Sequence, residues 1–386
     1  MTQPAVPAEE RRAAVARMLS LASPPCFSGG GAHCIGSVPP ATAGGFLGVE
    51  LFVEYLAEAR PIIDQRLREY LAVAPAGSPL HTYLYGILDE FIARGGKRVR
   101  PAMAMMACEA VGGDPLRALP SGCAVEFFHA AALIHDDIMD GSELRREEQC
   151  AHIVHGVPLA INTGDFALGL VCTIVVRDAG LDDGTKIAVL DAIGEMSART
   201  IEGQALDVGW VRDDVYDLGP DDYLFMALGK TGYYSGISPL KIGALIGGAG
   251  ETQRQALEHF GKNSAIAFQI QDDLLNILGD GAITGKDYLN DILESKRTLM
   301  VIHCLQAAEG DDLRRLAGLL RLGPRKSAAQ VQEVVDLLHR YESIDYARNL
   351  ARNLILEARS YLGALPKSKA KEVLASMADF FLEREN

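Results

Sequence analysis

The chain has 386 residues, is 48% hydrophobic but only 6% aromatic, and carries a formal net charge of −14. That is enough apolar material to bury a large core, and because most of it is Ala, Leu, Ile and Val it favours helices over sheets. The acidic balance argues against a nucleic acid or an anionic membrane surface as main partner, and an odd count of 7 cysteines suits reduced thiols rather than a disulfide framework.

In chain order, residues 1–46 read as a partly disordered extension, because Pro24-Pro25, Gly29-Gly30-Gly31, Pro39-Pro40 and Gly44-Gly45 leave no room for a regular element. No secretory signal core follows Arg11, Arg12 and Arg17, so a cytoplasmic location is expected. Cys26, His33 and Cys34 match no zinc spacing. Residues 47–386 read as one domain. Helix-periodic segments run over 51–92, 101–111, 124–139, 188–206, 223–246, 252–278 and 296–308, with a C-terminal group over 328–382. Period-two alternation is rare, so the expected fold class is all-α. Gly112-Gly113-Asp114-Pro115, Asp182-Asp183-Gly184 and Gly219-Pro220 read as turns. The longest strongly apolar stretch, 166–176, is too short to span a bilayer, so no transmembrane segment is expected.

Two acidic runs stand out: His135-Asp136-Asp137-Ile138-Met139-Asp140 and Gln271-Asp272-Asp273-Leu274-Leu275-Asn276. Both follow apolar helical stretches, and residues four apart share a helix face, so Asp136 projects beside Asp140 and Asp272 beside Asn276. A solvated acidic face would interleave Lys or Arg, and neither run does. Carboxylates grouped this closely repel one another and resist desolvation, and Mg2+ is the usual partner of such oxygen clusters. Their basic counterparts are Lys97-Arg98-Val99-Arg100, Arg145-Arg146, Lys296-Arg297, Lys230 and Lys286. Singly these read as solvated charges, but beside metal-binding acids they make a site suited to diphosphate. Gly229-Lys230-Thr231 ends like a nucleotide-binding loop, yet residue 224 is Leu and its surroundings are helical, so NTPase chemistry is not expected. The polar, glycine-containing stretch 279–290 reads as a lid over the site.

Over about residues 50–386 these motifs, in this order and spacing, resemble the trans-isoprenyl diphosphate synthases, or polyprenyl synthetases. The match includes Gly95-Gly96-Lys97-Arg98, both acidic runs, Leu144-Arg145-Arg146, Gly203-Gln204 with Asp207, Lys230-Thr231, Gly285-Lys286 and Lys296-Arg297-Thr298. The resemblance implies a single large helical bundle around a deep central cavity, a homodimer, and head-to-tail condensation of isopentenyl diphosphate with an allylic diphosphate. It further implies that Asp136, Asp140 and Asp272 ligate Mg2+, about three ions with substrate bound. Asp137, Asp207, Asp273 and Asn276 would lie in or near the metal shell. Lys230, Lys286 and Arg145 would hold the allylic diphosphate, with Thr231, Gln269 and Lys296 completing the substrate site. Lys97, Arg100, His129 and Arg146 would hold isopentenyl diphosphate.

The chain departs from the family pattern at Glu147-Glu148, where Gly and Pro are common, and at Asn276, where an aspartate is usual. Positions 131 and 132 are Ala, and aromatic residues there tend to stop family products at farnesyl. Phe127 and Phe128 lie one turn deeper, and a turn of about 5.4 Å approximates one isoprene unit, so geranylgeranyl diphosphate is the expected product. If both Phe are ordinary core residues, longer products follow. A class I terpene cyclase should carry Asn-x-x-x-Ser/Thr-x-x-x-Glu, which this chain lacks. A catalytically silent partner subunit is the non-enzyme alternative, and the near-complete acidic set argues against it.

Overall fold

The structure, a computed structural model, describes residues 48–279 and 288–383, so the extension expected over 1–46 lies outside the described residues. Backbone breakers set the first helix ends. Helix α1 (Glu50–Leu71) gives way to a stretch containing Pro75, Gly77 and Pro79. The pattern expected to run unbroken to residue 92 is therefore split, resuming as a π turn (His81–Tyr85) and α2 (Gly86–Ala93). After α3 (Val99–Ala110), α4 (Pro115–Met139) starts earlier than the expected residue 124. The Asp114 carboxylate accepts from the Leu116 N–H at 3.0 Å, and Pro115 pre-sets the first turn.

A hairpin of β1 (Leu144–Arg145) against β2 (Glu148–Gln149) supplies the only strands among the described residues, and the fold is all-α as expected. The short α5 (Ala151–Val154) leads to α6 (Val157–Arg177) and α7 (Asp183–Arg212). The apolar stretch judged too short for a bilayer belongs to α6, whose 21 residues are long and apolar enough to cross a membrane by length and composition alone. Its buried side, including Ala160, Gly164, Ala167 and Val171, packs along α4.

Next come α8 (Pro220–Ala227), a ten-residue π segment (Leu228–Ile237), α9 (Ser238–Ile246) and α10 (Glu251–Leu278). The second part of the chain adds α11 (Asn290–Glu294), α12 (Leu299–Ala307), α13 (Gly310–Leu320), α14 (Ala328–Arg340), α15 (Ser343–Tyr361) and α16 (Lys369–Glu383). The core centres on α4, packed by α3, α6 and α9, and on α10, packed by the π segment, α9 and α15.

The π segment is seated by bare backbone. A Cβ on Gly203 of α7 would fall on the backbone N of Lys230 and 2.6 Å from the Gly229 carbonyl carbon. One on Gly236 would fall on the Gly261 carbonyl oxygen of α10 and 2.6 Å from the Ala265 Cβ. Only side chains ending at hydrogen let these backbones close, and that closeness delivers Lys230 to Asp207. Gly236→Ala should therefore destabilise the fold by about 1–3 kcal/mol through overpacking, read as a lower urea midpoint with an unchanged slope.

Candidate active site

At 3.6 residues per turn, residues 128, 132, 136 and 140 follow one line along α4. Asp136 accepts from Gln204 Nε2 of α7 at 2.9 Å. Asp137 faces the other way, is buried, and holds both Nε and Nη2 of Arg145 at 2.6 Å. Asp140 caps α4 and lies 3.4 Å from Lys296 Nζ, which also approaches Glu294 at 3.1 Å and Asp291 at 3.6 Å. One turn beyond Gln204, Asp207 pairs with Lys230 at 2.6 Å. The acidic groups expected to depend on a metal are thus largely compensated by the chain's own cations.

On α10 the second acidic run divides. Asp272 lines a cavity of about 280 Å³ together with the basic residues described below. Asp273 lines a separate 60 Å³ space, accepting from the Tyr223 hydroxyl and from Gln269 Nε2, both at 2.8 Å. Gln269 in turn accepts from the Thr231 hydroxyl at 2.5 Å. Asn276 also reaches beyond α10: its side-chain oxygen accepts from the Asp291 N–H at 3.1 Å and its carbonyl from the Leu289 N–H at 2.8 Å. It therefore ties the end of α10 to the start of α11.

Burial alone would raise the Asp207 carboxyl, but Lys230 and Lys296 outweigh it and hold it below the usual carboxylate range. Burial works against the Lys230 and Lys296 ammonium groups as well. Asp207 and Asp136 reverse it for Lys230, and Asp291 and Asp140 for Lys296, so both stay charged. Asp273 is pushed up to about 7, first by burial and then by the Asp291 charge, which suits a hydrogen-bond partner of Tyr223 better than a permanent anion.

The basic wall of the larger cavity comes from four places: Lys97 before α3, Arg100 on it, His129 on α4, and Arg145 and Arg146 on the hairpin. Arg100 donates to the Ser235 hydroxyl at 2.6 and 3.1 Å and lies 4.6 Å from the Tyr234 ring centre. His129 stacks on the same ring, and burial, then the charge of Arg100, pushes it well below its ordinary value, so it is neutral at pH 7. Lys97 sits 5.3 Å above Phe380. Two members of the basic clusters serve the scaffold instead. Buried Arg98 binds Asp64 at 2.7 Å, Glu126 at 3.0 Å and the Ile92 carbonyl at 2.6 Å. Arg297, also buried, donates to the Val215 carbonyl at 2.8 Å and stacks on Tyr216.

Of the residues expected to set product length, Ala132 and Phe128 share the Asp136 side of α4, and Phe128 lies 5.9 Å from the Tyr234 ring. Ala131 is fully buried. Phe127 is carried half a turn round, packing on Tyr70 of α1 at 6.2 Å. Lys286 and most of the expected lid, residues 280–287, lie outside the described residues. Sequence reasoning assigned no role to Tyr223, Tyr234, Ser235, Asp291 or Glu294. Tyr234 and Ser235 lie with Lys230 and Thr231 in the π segment, and a π turn keeps Ser235, five residues after Lys230, closer to the Lys230 side than 3.6-residue periodicity would.

Among the described residues no three Asp, Glu, His or Cys side chains form a ready-made metal cage. The donor chemistry nevertheless fits Mg2+. Asp136 and Asp140 are partly exposed carboxylates, Asp272 lines the cavity, and Mg2+ is commonly held by one or two carboxylates plus substrate phosphates.

The polyprenyl synthetase family model matches residues 81–338. A short chain isoprenyl diphosphate synthase of Methanothermobacter thermautotrophicus is 35% identical over 334 residues, covering 86% of this chain and 99% of that protein. The crystal structure of geranylgeranyl pyrophosphate synthetase from Pyrococcus horikoshii OT3 superposes with a TM-score of 0.79 at 36% identity, covering 87% of this chain and 98% of the other. The geranylgeranyl pyrophosphate synthase of Corynebacterium glutamicum, solved with isoprenyl diphosphate and magnesium, gives 0.76 at 28% identity, covering 88% and 100%.

The division of labour among the aspartates predicts unequal costs. Asp137→Ala leaves Arg145 without its buried partner and should cost about 3 kcal/mol in urea unfolding. Asp140→Ala leaves Lys296 with Glu294 and Asp291 and should cost less than about 1 kcal/mol.

Proposed function

The chain belongs to the polyprenyl synthetase family and is a prenyltransferase, and from that premise we propose that its main product is geranylgeranyl diphosphate, made from isopentenyl diphosphate and an allylic primer. The observation that carries this reading is the pairing of two cationic sets beside one another. Lys97, Arg100 and Arg146 suit one diphosphate, and Lys230 with Arg145, next to the acidic walls, suits the other.

The allylic C–O bond breaks with its electron pair leaving on diphosphate, and Arg145 and Lys230 meet the charge that develops there. Mg2+ held by Asp136, Asp140 and Asp272 would add to that leaving-group stabilisation when bound, a reading supported by the magnesium-containing Corynebacterium homologue. Lys97, Arg100 and Arg146 orient isopentenyl diphosphate so that its double bond attacks the allylic carbon, and a proton then passes to the departed diphosphate. Phe268, Phe380 and Phe381 line the same cavity and keep water from the cation.

The growing tail runs along the Ala132 side of α4 toward Phe128 and Tyr234, about 12 Å from Asp136 along the helix axis. Ala132 lets the tail pass and Phe128 stops it. A homodimer is supported by apolar side chains left exposed on adjacent helices, Ile161 and Val176 on α6 and Ile187, Ile201 and Val208 on α7.

The test is mass analysis of products from labelled isopentenyl diphosphate with each allylic primer in turn. Geranylgeranyl diphosphate is expected, with formation abolished by EDTA and restored by Mg2+. Phe128→Ala should shift the products longer by at least one isoprene unit. A hydrocarbon or alcohol formed from farnesyl diphosphate alone would identify a cyclase instead. In light scattering, Ile201→Glu should convert a dimer to a monomer.

A further inference from the structure

The hairpin that presents Arg145 and Arg146 is also where the chain departs from the family pattern, at Glu147 and Glu148. Its two corner residues, Arg146 (φ +54°) and Glu147 (φ +67°), both adopt the left-handed conformation of a type I′ turn without the Asn or Gly such turns favour. A turn built this way persists only where its surroundings hold it. We propose that Arg94, with Glu148 as its counter-charge, is the positioning residue that fixes this hairpin and so sets Arg146 for isopentenyl diphosphate. The proposal rests on the reading of the cavity given above.

Arg94 ends α2, and its side chain is only 5% exposed. Its Nη1 donates to the Gln149 carbonyl of β2 at 2.7 Å, and its Nη2 to Glu90 at 2.8 Å. Its Nε lies 3.1 Å from a Glu148 carboxylate oxygen, off the hydrogen-bonding direction. Glu90 also lies 3.3 Å from His155, just past α5, so α2, the hairpin and the segment after it meet at one guanidinium.

A second stitch runs in the opposite direction, from Arg146 Nη1 to the carbonyl of Gly95, the residue after Arg94. Gly96 (φ +146°) makes room for it, because a Cβ there would stand 3.2 Å from Arg146 Nη2. Loop 95–97 and the hairpin are thereby laced on both sides, and Lys97 and Arg146, which they carry, line the same cavity. Arg145 has its own anchor in Asp137, at 2.6 Å. Cutting the Arg94 tether therefore removes one of the two stitches that set Arg146 and leaves the Asp137 anchor of Arg145 in place, which separates the two substrates.

Steady-state kinetics of the full chain test this, with thermal unfolding as a check on folding. Arg94→Met should raise KM for isopentenyl diphosphate about tenfold, equivalent to about 1.4 kcal/mol, while KM for the allylic primer and kcat stay within about twofold. Arg94→Lys should recover part of the loss, and Glu148→Gln should give a smaller rise of the same selectivity. If the folded Arg94→Met variant raises both KM values equally, or neither, the proposal is overturned. Should that variant not fold, Arg94→Lys and Glu148→Gln decide: a selective rise supports the proposal and unchanged values overturn it. A wild-type chain that does not elongate would overturn the functional reading, and this inference with it, before any substitution is compared.

Discussion

Compensation of closely spaced carboxylates by fixed lysines and arginines is the constraint on which the site depends. Asp207 and Lys230, Asp140 and Lys296, and Asp137 and Arg145 each join different parts of the chain, so the same contacts that cancel charge also hold α4, α7, the π segment, the hairpin and the turn after α11 in register. Removing Asp137 or Asp207 would strand a charge in a poorly solvated place, which costs far more than losing a surface pair, whereas Lys296 keeps Glu294 and Asp291 if Asp140 is lost. The arrangement leaves ammonium and guanidinium groups where a diphosphate can take them over.

The scaffold serves that arrangement by close backbone approach. Gly203 against Gly229 and Gly236 against Gly261 bring three helical segments together where side chains would hold them apart. The π segment between α8 and α9 then turns Lys230, Thr231, Tyr234 and Ser235 toward α4, α7 and α10 in one continuous stretch. Arg100 and His129 share the Tyr234 ring, so one aromatic platform organises that side of the basic wall.

Much of this was legible in the sequence because it is local. Helical periodicity gave the all-α class, the Gly/Pro breaks gave most turns, and the acidic and basic motifs carried the resemblance to the polyprenyl synthetases. What stayed hidden depends on tertiary direction. Neighbours in sequence take different partners, so the buried Arg98 and Arg297 bind carboxylates and carbonyls of the scaffold, while Lys296 meets Asp140 across the site. Phe127 similarly turns away from the Asp136 side and packs on Tyr70. The length of α6 was missed because Asn162, Thr163, Gly164 and Asp165 dilute its apolar run, although Thr163 and Gly164 are buried against the core.

Since the carboxylates are already compensated and no ready-made cage exists among the described residues, Mg2+ and diphosphate should bind as one coupled event. Titration calorimetry with Mg2+, with and without saturating inorganic pyrophosphate, measures that coupling directly. The account predicts weak Mg2+ binding to the protein alone and at least about tenfold tighter binding with pyrophosphate present, a coupling of about 1.4 kcal/mol or more. Equal affinity in the two titrations, or tight stoichiometric binding without pyrophosphate, would contradict it.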